Sequence, residues 1–381
     1  MATRPGLAVA AAIVMHGQVL AARRTEPAAL AGSWELPGGK VDAAEDPERA
    51  VVRELREELD CEVEVLRRLP GEQPLTGGHR LWVFECRLVG DGEPAPREHD
   101  AVRWLAPEEL DQVGWLPADV PFVDALRERL LDGEPMAGGN VGGAVRIGST
   151  VRRPTGPWTP AVHALLAHLD AVGLDGVPRV LGVDERGREV LTYLEGRPVE
   201  VDDEAPSDGL LVSAVEWLGR FHAAVATYRP AGVVGWRQVR RALAPDEVVC
   251  HNDPGAYNWV VAEGRFAGLI DWDLAGPGHP VDDLAFLAWT AVPLFRETPT
   301  DGVARRLRLV ARTYGGVDPR DLLRASVERM ETACERIAAG QAAGDPGMLA
   351  LGRDGEPART RDRIARLRVR LPTLESALSG E

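Results

Sequence analysis

A 23-residue segment from Gly39 to Cys61, GKVDAAEDPERAVVRELREELDC, constrains the fold of this chain more than any other feature. We expect a helix to begin near Pro47, because a proline in the first helical turn lacks only an N–H that would have no partner there. In that helix Glu54, Glu57 and Glu58 stand at i, i+3 and i+4 and share one face. Carboxylates so close oppose folding unless a cation offsets them, and oxygen ligands suit Mg²⁺ or Mn²⁺. The segment predicts a metal site; the alternative is a solvated acidic face.

The segment resembles the Nudix box, G-x5-E-x7-R-E-U-x-E-E-x-G-U, where U is a bulky aliphatic residue. The matching positions are Gly39, Glu45, Arg53, Glu54, Leu55, Glu57 and Glu58. Asp60 stands where that family usually has glycine, and Cys61 fills the last aliphatic position. The turn after the helix is therefore where we expect a departure from the family, while the acids are intact.

The flanking sequence resembles the MutT-like branch, which hydrolyses nucleoside triphosphates such as 8-oxo-dGTP to the monophosphate and pyrophosphate. This resemblance rests on Trp34 to Lys40, Glu98-His99 and Trp115 to Asp119. It implies that the metal ligands are Glu54, Glu57, Glu58 and the Gly38 carbonyl, and that Glu57, Glu58 and Glu98 serve catalysis. Glu98 would bind a metal or act as general base. Arg24 and Lys40 would hold phosphate, and Asp119 would read a purine edge or, alternatively, cap a helix.

The length of 381 residues favours more than one domain. Strand-like runs occupy 7–14, 18–23, 62–68, 79–89 and 101–105, and helical patterns occupy 47–60, 106–112 and 121–132. The stretch from Asp132 to Gly139 breaks every period and marks a boundary. We therefore predict one α/β domain over 1–135 and a second domain over 136–381.

A second set of chemically suited residues lies in CHNDPGAYNWVVAEGRFAGLIDWD, residues 250–273. His251-x-Asp253-x4-Asn258, followed by Asp271, puts an acid, an amide and another acid on two loops around a short hairpin. Phosphoryl transfer needs a carboxylate to orient the acceptor hydroxyl and oxygen ligands for Mg²⁺ on the triphosphate. The pattern indicates such a site; a chance loop is the alternative.

This region resembles the aminoglycoside phosphotransferase family, which has a protein-kinase-like fold. The resemblance implies a small lobe at about 137–195 and a helical lobe at about 205–381. It implies that Asp253 is the catalytic base or the acid that orients the acceptor hydroxyl, and that Asn258 and Asp271 are Mg²⁺ ligands. It also implies that Thr192, Tyr193 and Leu194 offer backbone groups to the adenine of ATP. The expected fold class is α/β and α+β in two domains: a Nudix α/β/α sandwich, then a kinase-like two-lobe fold.

The expected small lobe contains no lysine, although kinases of this fold place a lysine on the phosphates. Arg152 or Arg153 must substitute, and arginine differs from lysine at a close phosphate site because its guanidinium is wider and planar. The helix at 160–169 also lacks the expected glutamate, with His163 near its place. Two hypotheses stay open: an ATP-dependent phosphotransferase acting on a small hydroxyl compound, or a nucleotide- or metabolite-binding pseudokinase that regulates the hydrolase.

The net charge of −15 argues against a general nucleic-acid or anionic-membrane binder, which needs a concentrated basic surface. The four cysteines are scattered without a C-x-x-C, which fits a reducing cytoplasm. Apolar runs fall short of the roughly 18 residues of a membrane span. We expect a cytoplasmic protein whose partners are nucleotide and small-molecule substrates; the sequence leaves the oligomeric state open.

Overall fold

A computed structural model describes residues 6–90, 92–136, 143–199, 205–294 and 298–379. Its contacts divide the chain into two compact units, 1–136 with 144–152, and 137–143 with 153–381. The domain division at 135/136 stays a prediction, and the structure differs from it at 144–152. This segment joins the first unit because a strand there pairs with the strand at 134–135, with Glu134 opposite Arg146.

The first unit has the strands and helices that the sequence predicts, with a few short strands added. Its strands are β1 (Leu7–Met15), β2 (Gln18–Arg24), β3 (Trp34–Glu35), β4 (Val63–Arg68), β5 (Gln73–Pro74), β6 (Arg80–Leu88), β7 (His99–Leu105), β8 (Glu134–Pro135), β9 (Val145–Ile147) and β10 (Thr150–Pro154), the last of which ends beyond the unit boundary. Its helices are α1 (Pro47–Leu59) and α2 (Val120–Leu131), with a 3₁₀ helix at Pro107–Gln112.

The main sheet of this unit has the order β3-β2-β1-β6-β4, with β7 on β2 and β5 on β6. β1 runs parallel to β6 and antiparallel to β2. Successive side chains of a strand point to opposite faces. Ala8, Ala10 and Ala12 pack with the core that contains α2, whereas Val9 and Ala11 pack with the core that contains α1. The unit is the expected α/β/α sandwich, and its small central residues let both helices lie close to the sheet.

The second unit is mostly helical. Its helices are α3 (Thr159–Ala171), α4 (Asp208–Val225), α5 (Pro280–Ala291), α6 (Thr300–Tyr314), α7 (Pro319–Ala342), α8 (Pro346–Arg353) and α9 (Ala358–Ser379). Its strands are β11 (Val180–Val183), β12 (Arg188–Thr192), β13 (Arg197–Pro198), β14 (Val234–Gly235), β15 (Arg240–Arg241), β16 (Val248–Cys250), β17 (Trp259–Ala262), β18 (Arg265–Leu269) and β19 (Gly276–Gly278). Within the described ranges, no helix is long and apolar enough to cross a membrane.

Two antiparallel pairs carry the second set of functional residues. β16 pairs with β19, with Cys250 opposite Gly276, and β17 pairs with β18, with Trp259 opposite Leu269. Trp259 is almost fully buried in the helical core. The loops that follow β16 and β18 are thereby fixed side by side, so residues distant in sequence meet at one place.

Candidate functional sites

Both ends of helix α1 lie where the acidic motif predicts them. The Asp46 carboxylate accepts hydrogen bonds from the backbone N–H groups of Glu48 and Arg49 and caps the helix. Asp60 ends it in the left-handed conformation, at φ 53° and ψ 35°, the region for which glycine is favoured. The expected departure is therefore only in residue type, because aspartate adopts the conformation that a glycine would supply. Cys61, which follows, is buried in the core under α1.

Arg53 holds the acids of the motif together. Its Nε and NH2 groups donate to the two carboxylate oxygens of Glu45, at 3.0 and 2.9 Å, and NH1 donates to Glu54 at 2.9 Å and to Glu57 at 3.2 Å. NH2 also donates to the backbone carbonyl of Lys40 at 3.1 Å. Hydrogen bonds from Arg53 lower the pKa of Glu45 to about 2. One guanidinium thus joins three carboxylates to the loop before the helix.

Two glycines bring that loop against the carboxylates. The backbone N–H of Gly38 donates to Glu58 Oε2 at 3.0 Å. A Cβ on Gly39 would lie 2.4 Å from the Glu54 carboxylate carbon, and one on Gly38, at φ 155°, would lie 2.2 Å from the carbonyl oxygen of Val9. Gly38 accepts only glycine because its Cβ would meet backbone, whereas a side chain at Gly39 would have to displace the Glu54 carboxylate. The close approach of this loop to the acids therefore depends on both glycines.

Carboxylates crowd around Glu58. Burial, with Glu35, Glu54 and Glu98 nearby, raises the pKa of Glu58 to about 7, although His99 opposes the shift. Glu98 itself is exposed, and its backbone carbonyl accepts a hydrogen bond from the Thr25 hydroxyl at 2.8 Å. The structure therefore places Glu98 close enough to Glu58 for their charges to interact.

A buried pair, His99 and Glu35, lies next to these acids and is not apparent from the sequence. His99 Nε2 lies 2.9 Å from Glu35 Oε1, and Arg24 NH1 donates to Glu35 Oε2 at 2.5 Å. The other ring nitrogen of His99 is buried without a partner in the part of the chain described. Arg24, expected to hold phosphate, is thus already paired with a carboxylate. The sequence does draw attention to Glu35, which stands inside the WELPGGK run. Its contact with His99, however, arises only from the pairing of β2 with β7.

Lys40 and Asp119, the other two residues predicted to contact the substrate, differ in their exposure to solvent. Lys40 is exposed beside the motif, and its role in holding phosphate stays a prediction. Asp119 is buried at the start of α2, and its side chain makes no capping hydrogen bond. Burial and the charge of Glu35 raise its pKa to about 8. The N-cap alternative is therefore wrong for its side chain, and a role in reading a base stays a prediction.

The donor set of the first unit fits a divalent cation. Hydrogen bonds hold Glu54 and Glu57 to Arg53 and Glu58 to the Gly38 backbone. Burial first, and the neighbouring carboxylates second, raise the pKa of Glu58, and a bound cation would favour its charged form. Carboxylate and carbonyl oxygens are what Mg²⁺ and Mn²⁺ prefer.

In the second unit, Asp283 anchors the loop after β16. Its two oxygens accept from the backbone N–H groups of His251 and Asn252, each at 2.8 Å, and His222 Nε2 lies 3.3 Å from Oδ2. Burial would raise the pKa of Asp283, but these hydrogen bonds outweigh it and lower the pKa. Asp283 and His222 therefore hold the backbone of the loop that carries Asp253.

Asp253 is oriented by two neutral donors. The Tyr257 hydroxyl donates to Oδ1, and Asn258 Nδ2 donates to Oδ2 at 3.2 Å and to the Asp253 backbone carbonyl at 2.9 Å. Burial, with Asp271 nearby, raises the pKa of Asp253 to about 7. A carboxyl with that pKa can accept a proton near neutral pH, which suits a general base. Because Asn258 turns its nitrogen to Asp253, its amide oxygen is the atom that could bind a metal.

Arg153 lies in a cluster of acids. Its NH2 group is 3.2 Å from Asp271 Oδ1 and 2.7 Å from Asp273 Oδ1, and its Nε is 3.5 Å from Glu189 Oε1. Glu189 also lies 2.9 Å from His163 Nε2. Arg153 and Asp271 are candidates from the sequence, whereas Asp273 and Glu189 become apparent only in the structure. Glu189, on β12, takes the position that a helix glutamate was expected to fill as partner of the cation.

The remaining residues predicted for the second site differ in what they contact. Arg152 is not among these acids: it is buried, and its NH1 group donates to Glu108 at 2.9 Å, so Arg153 is the candidate for the phosphate cation. The backbone N–H of Thr192 donates to the Arg179 carbonyl at 2.9 Å, which makes that N–H unavailable to a base. Contacts of Tyr193 and Leu194 with adenine stay predictions.

Two families of known proteins match separate parts of the chain. Residues 4–126 match the NUDIX domain, and residues 229–320 match the phosphotransferase enzyme family. A Mycobacterium tuberculosis protein named "Putative 8-oxo-dGTP diphosphatase 2" is 43% identical over 127 aligned residues, covering 32% of this chain and 89% of that protein. The CTP pyrophosphohydrolase of Escherichia coli is 37% identical, covering 31% of this chain and 88% of that protein. The trifolitoxin immunity protein of Rhizobium leguminosarum bv. trifolii is 34% identical, covering 47% of this chain and 73% of that protein.

Proposed function

Because this chain belongs to the Nudix hydrolases through residues 4–126 and carries a phosphotransferase-family domain at 229–320, we propose that it has two activities. The first unit would hydrolyse a nucleoside triphosphate, 8-oxo-dGTP-like, or another nucleoside diphosphate-linked substrate. The second would transfer phosphoryl groups from ATP to a hydroxyl of a small molecule. The names of the relatives, an 8-oxo-dGTP diphosphatase and a CTP pyrophosphohydrolase among them, support the first substrate class.

The observation that carries the hydrolase proposal is the acidic face of α1 held by Arg53 against the Gly38-Gly39 loop. Bound Mg²⁺ or Mn²⁺ would neutralise charge on the polyphosphate there. Glu98 is the candidate base for the attacking water, since it is exposed and interacts with Glu58. Lys40 would hold the phosphates of the substrate.

The test measures pyrophosphate and monophosphate released by the full chain from 8-oxo-dGTP, dGTP, CTP and ADP-ribose with Mg²⁺. We expect Glu57→Gln to lower the rate by about 100-fold or more, because it removes the charge of a direct metal ligand. Even residues that only support a metal ligand typically change activity by about 10- to 100-fold when they are replaced. Glu48→Gln, on the exposed first turn of the same helix, is the matched control and should keep full activity. Equal rates in the two variants would contradict the metal site.

For the second unit, the observation that carries the proposal is the Asp253 carboxyl, oriented by Tyr257 and Asn258 beside Asp271. Asp253 would take the proton of the acceptor hydroxyl while the γ-phosphoryl bond to ADP breaks. Bound Mg²⁺ would neutralise the triphosphate, with Asn258 and Asp271 as candidate ligands. ADP formation in an acceptor panel should fall by about 10³-fold in Asp253→Asn and stay unchanged in Asp246→Asn, an exposed control.

One observation favours the pseudokinase hypothesis instead. Arg153 is already paired with Asp271, the acid expected to meet the metal, and with Asp273. A domain built in this way could bind a nucleotide without turnover. ATP binding to the full chain with no ADP formed across the panel, together with a change in pyrophosphate release on ATP addition, would support a regulatory role.

A further inference from the structure

The hydroxyl that lies against the candidate base of the second unit belongs to the chain itself. Tyr257 stands four residues after Asp253, in a short 3₁₀ helix at Ala256–Asn258, and its hydroxyl donates to Asp253 Oδ1. The other carboxylate oxygen, Oδ2, accepts from Asn258 Nδ2 at 3.2 Å. A hydroxyl that is to give its proton to Oδ1 must therefore displace that of Tyr257 or be that of Tyr257.

The loop that carries the base also fixes the position of this tyrosine. The backbone N–H of Asn258 donates to the carbonyl of Gly255 at 2.9 Å, and the N–H of Ala256 lies 3.2 Å from the Thr290 hydroxyl oxygen, which accepts from it. A Cβ on Gly255 would lie 2.6 Å from Cε1 of the Tyr257 ring, so the ring lies directly over the backbone of the loop. The hydroxyl and the carboxyl are thus held together by one short segment.

The two candidate Mg²⁺ ligands lie next to the same tyrosine. The backbone N–H of Ile270 donates to the carbonyl of Asn258 at 3.0 Å. Asn258 directly follows Tyr257, and Asp271 directly follows Ile270, so this bond joins the two segments that carry the ligands. A triphosphate whose Mg²⁺ is bound by Asn258 and Asp271 would therefore lie close to the Tyr257 hydroxyl.

The chemistry of the pair suits proton transfer. Burial of its hydroxyl and the nearby charge of Asp253 raise the pKa of Tyr257 above its ordinary value, so the phenol keeps its proton and needs a base to become a nucleophile. Asp253, with its pKa raised to about 7, can take that proton near neutral pH. The residue as a whole is 41% exposed, so a phosphate on Tyr257 does not have to be buried in the core.

We propose that Tyr257 is a phosphorylation site, and that the second unit transfers the γ-phosphoryl group of ATP to it within the same chain. This inference rests on the proposed phosphotransferase function, because it uses the same base and the same nucleotide. The Tyr257 oxygen bonds to the γ-phosphorus, the bond to the ADP oxygen breaks, and the phenolic proton passes to Asp253. The product carries a charge of about −1.5 to −2 beside the carboxyl, so we expect no more than one phosphate per chain.

The test incubates the full chain with Mg²⁺ and ATP and locates phosphate by intact-mass and tandem mass spectrometry. We expect one phosphate on Tyr257, none in Tyr257→Phe, and labelling that is about 10³-fold slower in Asp253→Asn. Tyr228→Phe is the matched control and should be labelled like the wild type, because Tyr228 is half-buried against the His168 ring, away from this loop.

The origin of the phosphate can be tested by mixing. Because the base and the tyrosine lie in one loop, the rate per chain should not depend on protein concentration, and Asp253→Asn chains mixed with wild type should stay unlabelled. Labelling of those Asp253→Asn chains, phosphate on another residue instead of Tyr257, or equal labelling of Tyr257 in wild type and Asp253→Asn would overturn the inference.

The acceptor panel separates this inference from the proposed function. ADP formed with a small hydroxyl compound, with no phosphate on Tyr257, would overturn the inference and leave the proposed function intact. Phosphate on Tyr257 with no compound of the panel phosphorylated would support the inference and contradict a small-molecule acceptor. The absence of ADP in every reaction would contradict both.

Discussion

The two candidate sites are both acidic clusters held by an arginine, but their networks differ in how far they reach along the chain. In the first unit Arg53 bonds to Glu45, Glu54 and Glu57, all within one motif. In the second unit Arg153 meets Asp271, which lies 118 residues away. A local network can be recognised from spacing alone, whereas a long-range network depends on how strands and loops are brought together.

The largest effect should come from the anchor of the second site, which has no counterpart in the first. Asp283→Asn removes a fully buried acceptor of two backbone N–H groups and the partner of His222. We expect the second unit to lose about 3 kcal/mol of stability, because an amide in this position leaves a buried donor without an acceptor. Urea unfolding of the full chain measures this loss, and Asp246→Asn should show none. An unchanged midpoint would contradict the anchor.

The first site depends instead on backbone approach. Gly39→Ala puts a Cβ 2.4 Å from the Glu54 carboxylate carbon and must displace that side chain. We expect pyrophosphate release to fall by about 100-fold, with ADP formation by the second unit unchanged. Gly92→Ala is the control, since its Cβ would meet nothing within 4 Å. Equal hydrolysis by both variants would show that the Gly39 contact is dispensable.

Arginine-to-lysine replacements should act in opposite directions at the two sites. Arg53→Lys loses the forked geometry that joins Glu45, Glu54 and Glu57, and we expect hydrolysis to fall about tenfold. In Arg153→Lys the ammonium cannot bridge Asp271 and Asp273 as the guanidinium does, so Asp271 becomes more available to a metal. We therefore expect ADP formation to rise by about threefold. Loss of phosphotransfer in Arg153→Lys would show that bridging is required.

A pH dependence of stability is expected in the first unit. The pKa of buried Asp119 is raised to about 8, so the folded state holds a proton that the unfolded chain releases near pH 4. Wild-type stability should therefore fall, relative to Asp119→Asn, as the pH rises from about 4 to about 8, and the difference should level off above that. Thermal unfolding of both proteins across this range measures it. A difference that does not vary with pH would contradict the raised pKa.

The sequence predicted most of what is local. The runs at 7–14, 18–23 and 101–105 are the strands β1, β2 and β7. The helix and acidic face at 47–60 followed from spacing, because i, i+3 and i+4 positions share a face in any helix. The first sheet and its two flanking helices were therefore expected correctly.

Residues that act through distant contacts could not be found in this way. Glu35 meets His99 only because β2 pairs with β7, and Glu189 meets Arg153 only when the second unit is folded. Asp273 stands two residues after Asp271, but nothing in that spacing shows that both acids hold one arginine. Arg152 and Arg153 were equivalent in the sequence, and only their surroundings distinguish them.

The buried ring of His251 has a consequence for how the second site can move. Its Nδ1 accepts from the backbone N–H of Asp253 at 3.2 Å, and its Nε2 donates to the carbonyl of Ile270 at 3.1 Å. Burial lowers its pKa, so the ring stays neutral and both nitrogens stay engaged. The imidazole therefore connects the backbone before Asp271 to the backbone of Asp253, so the spacing of the two acids depends on one neutral ring.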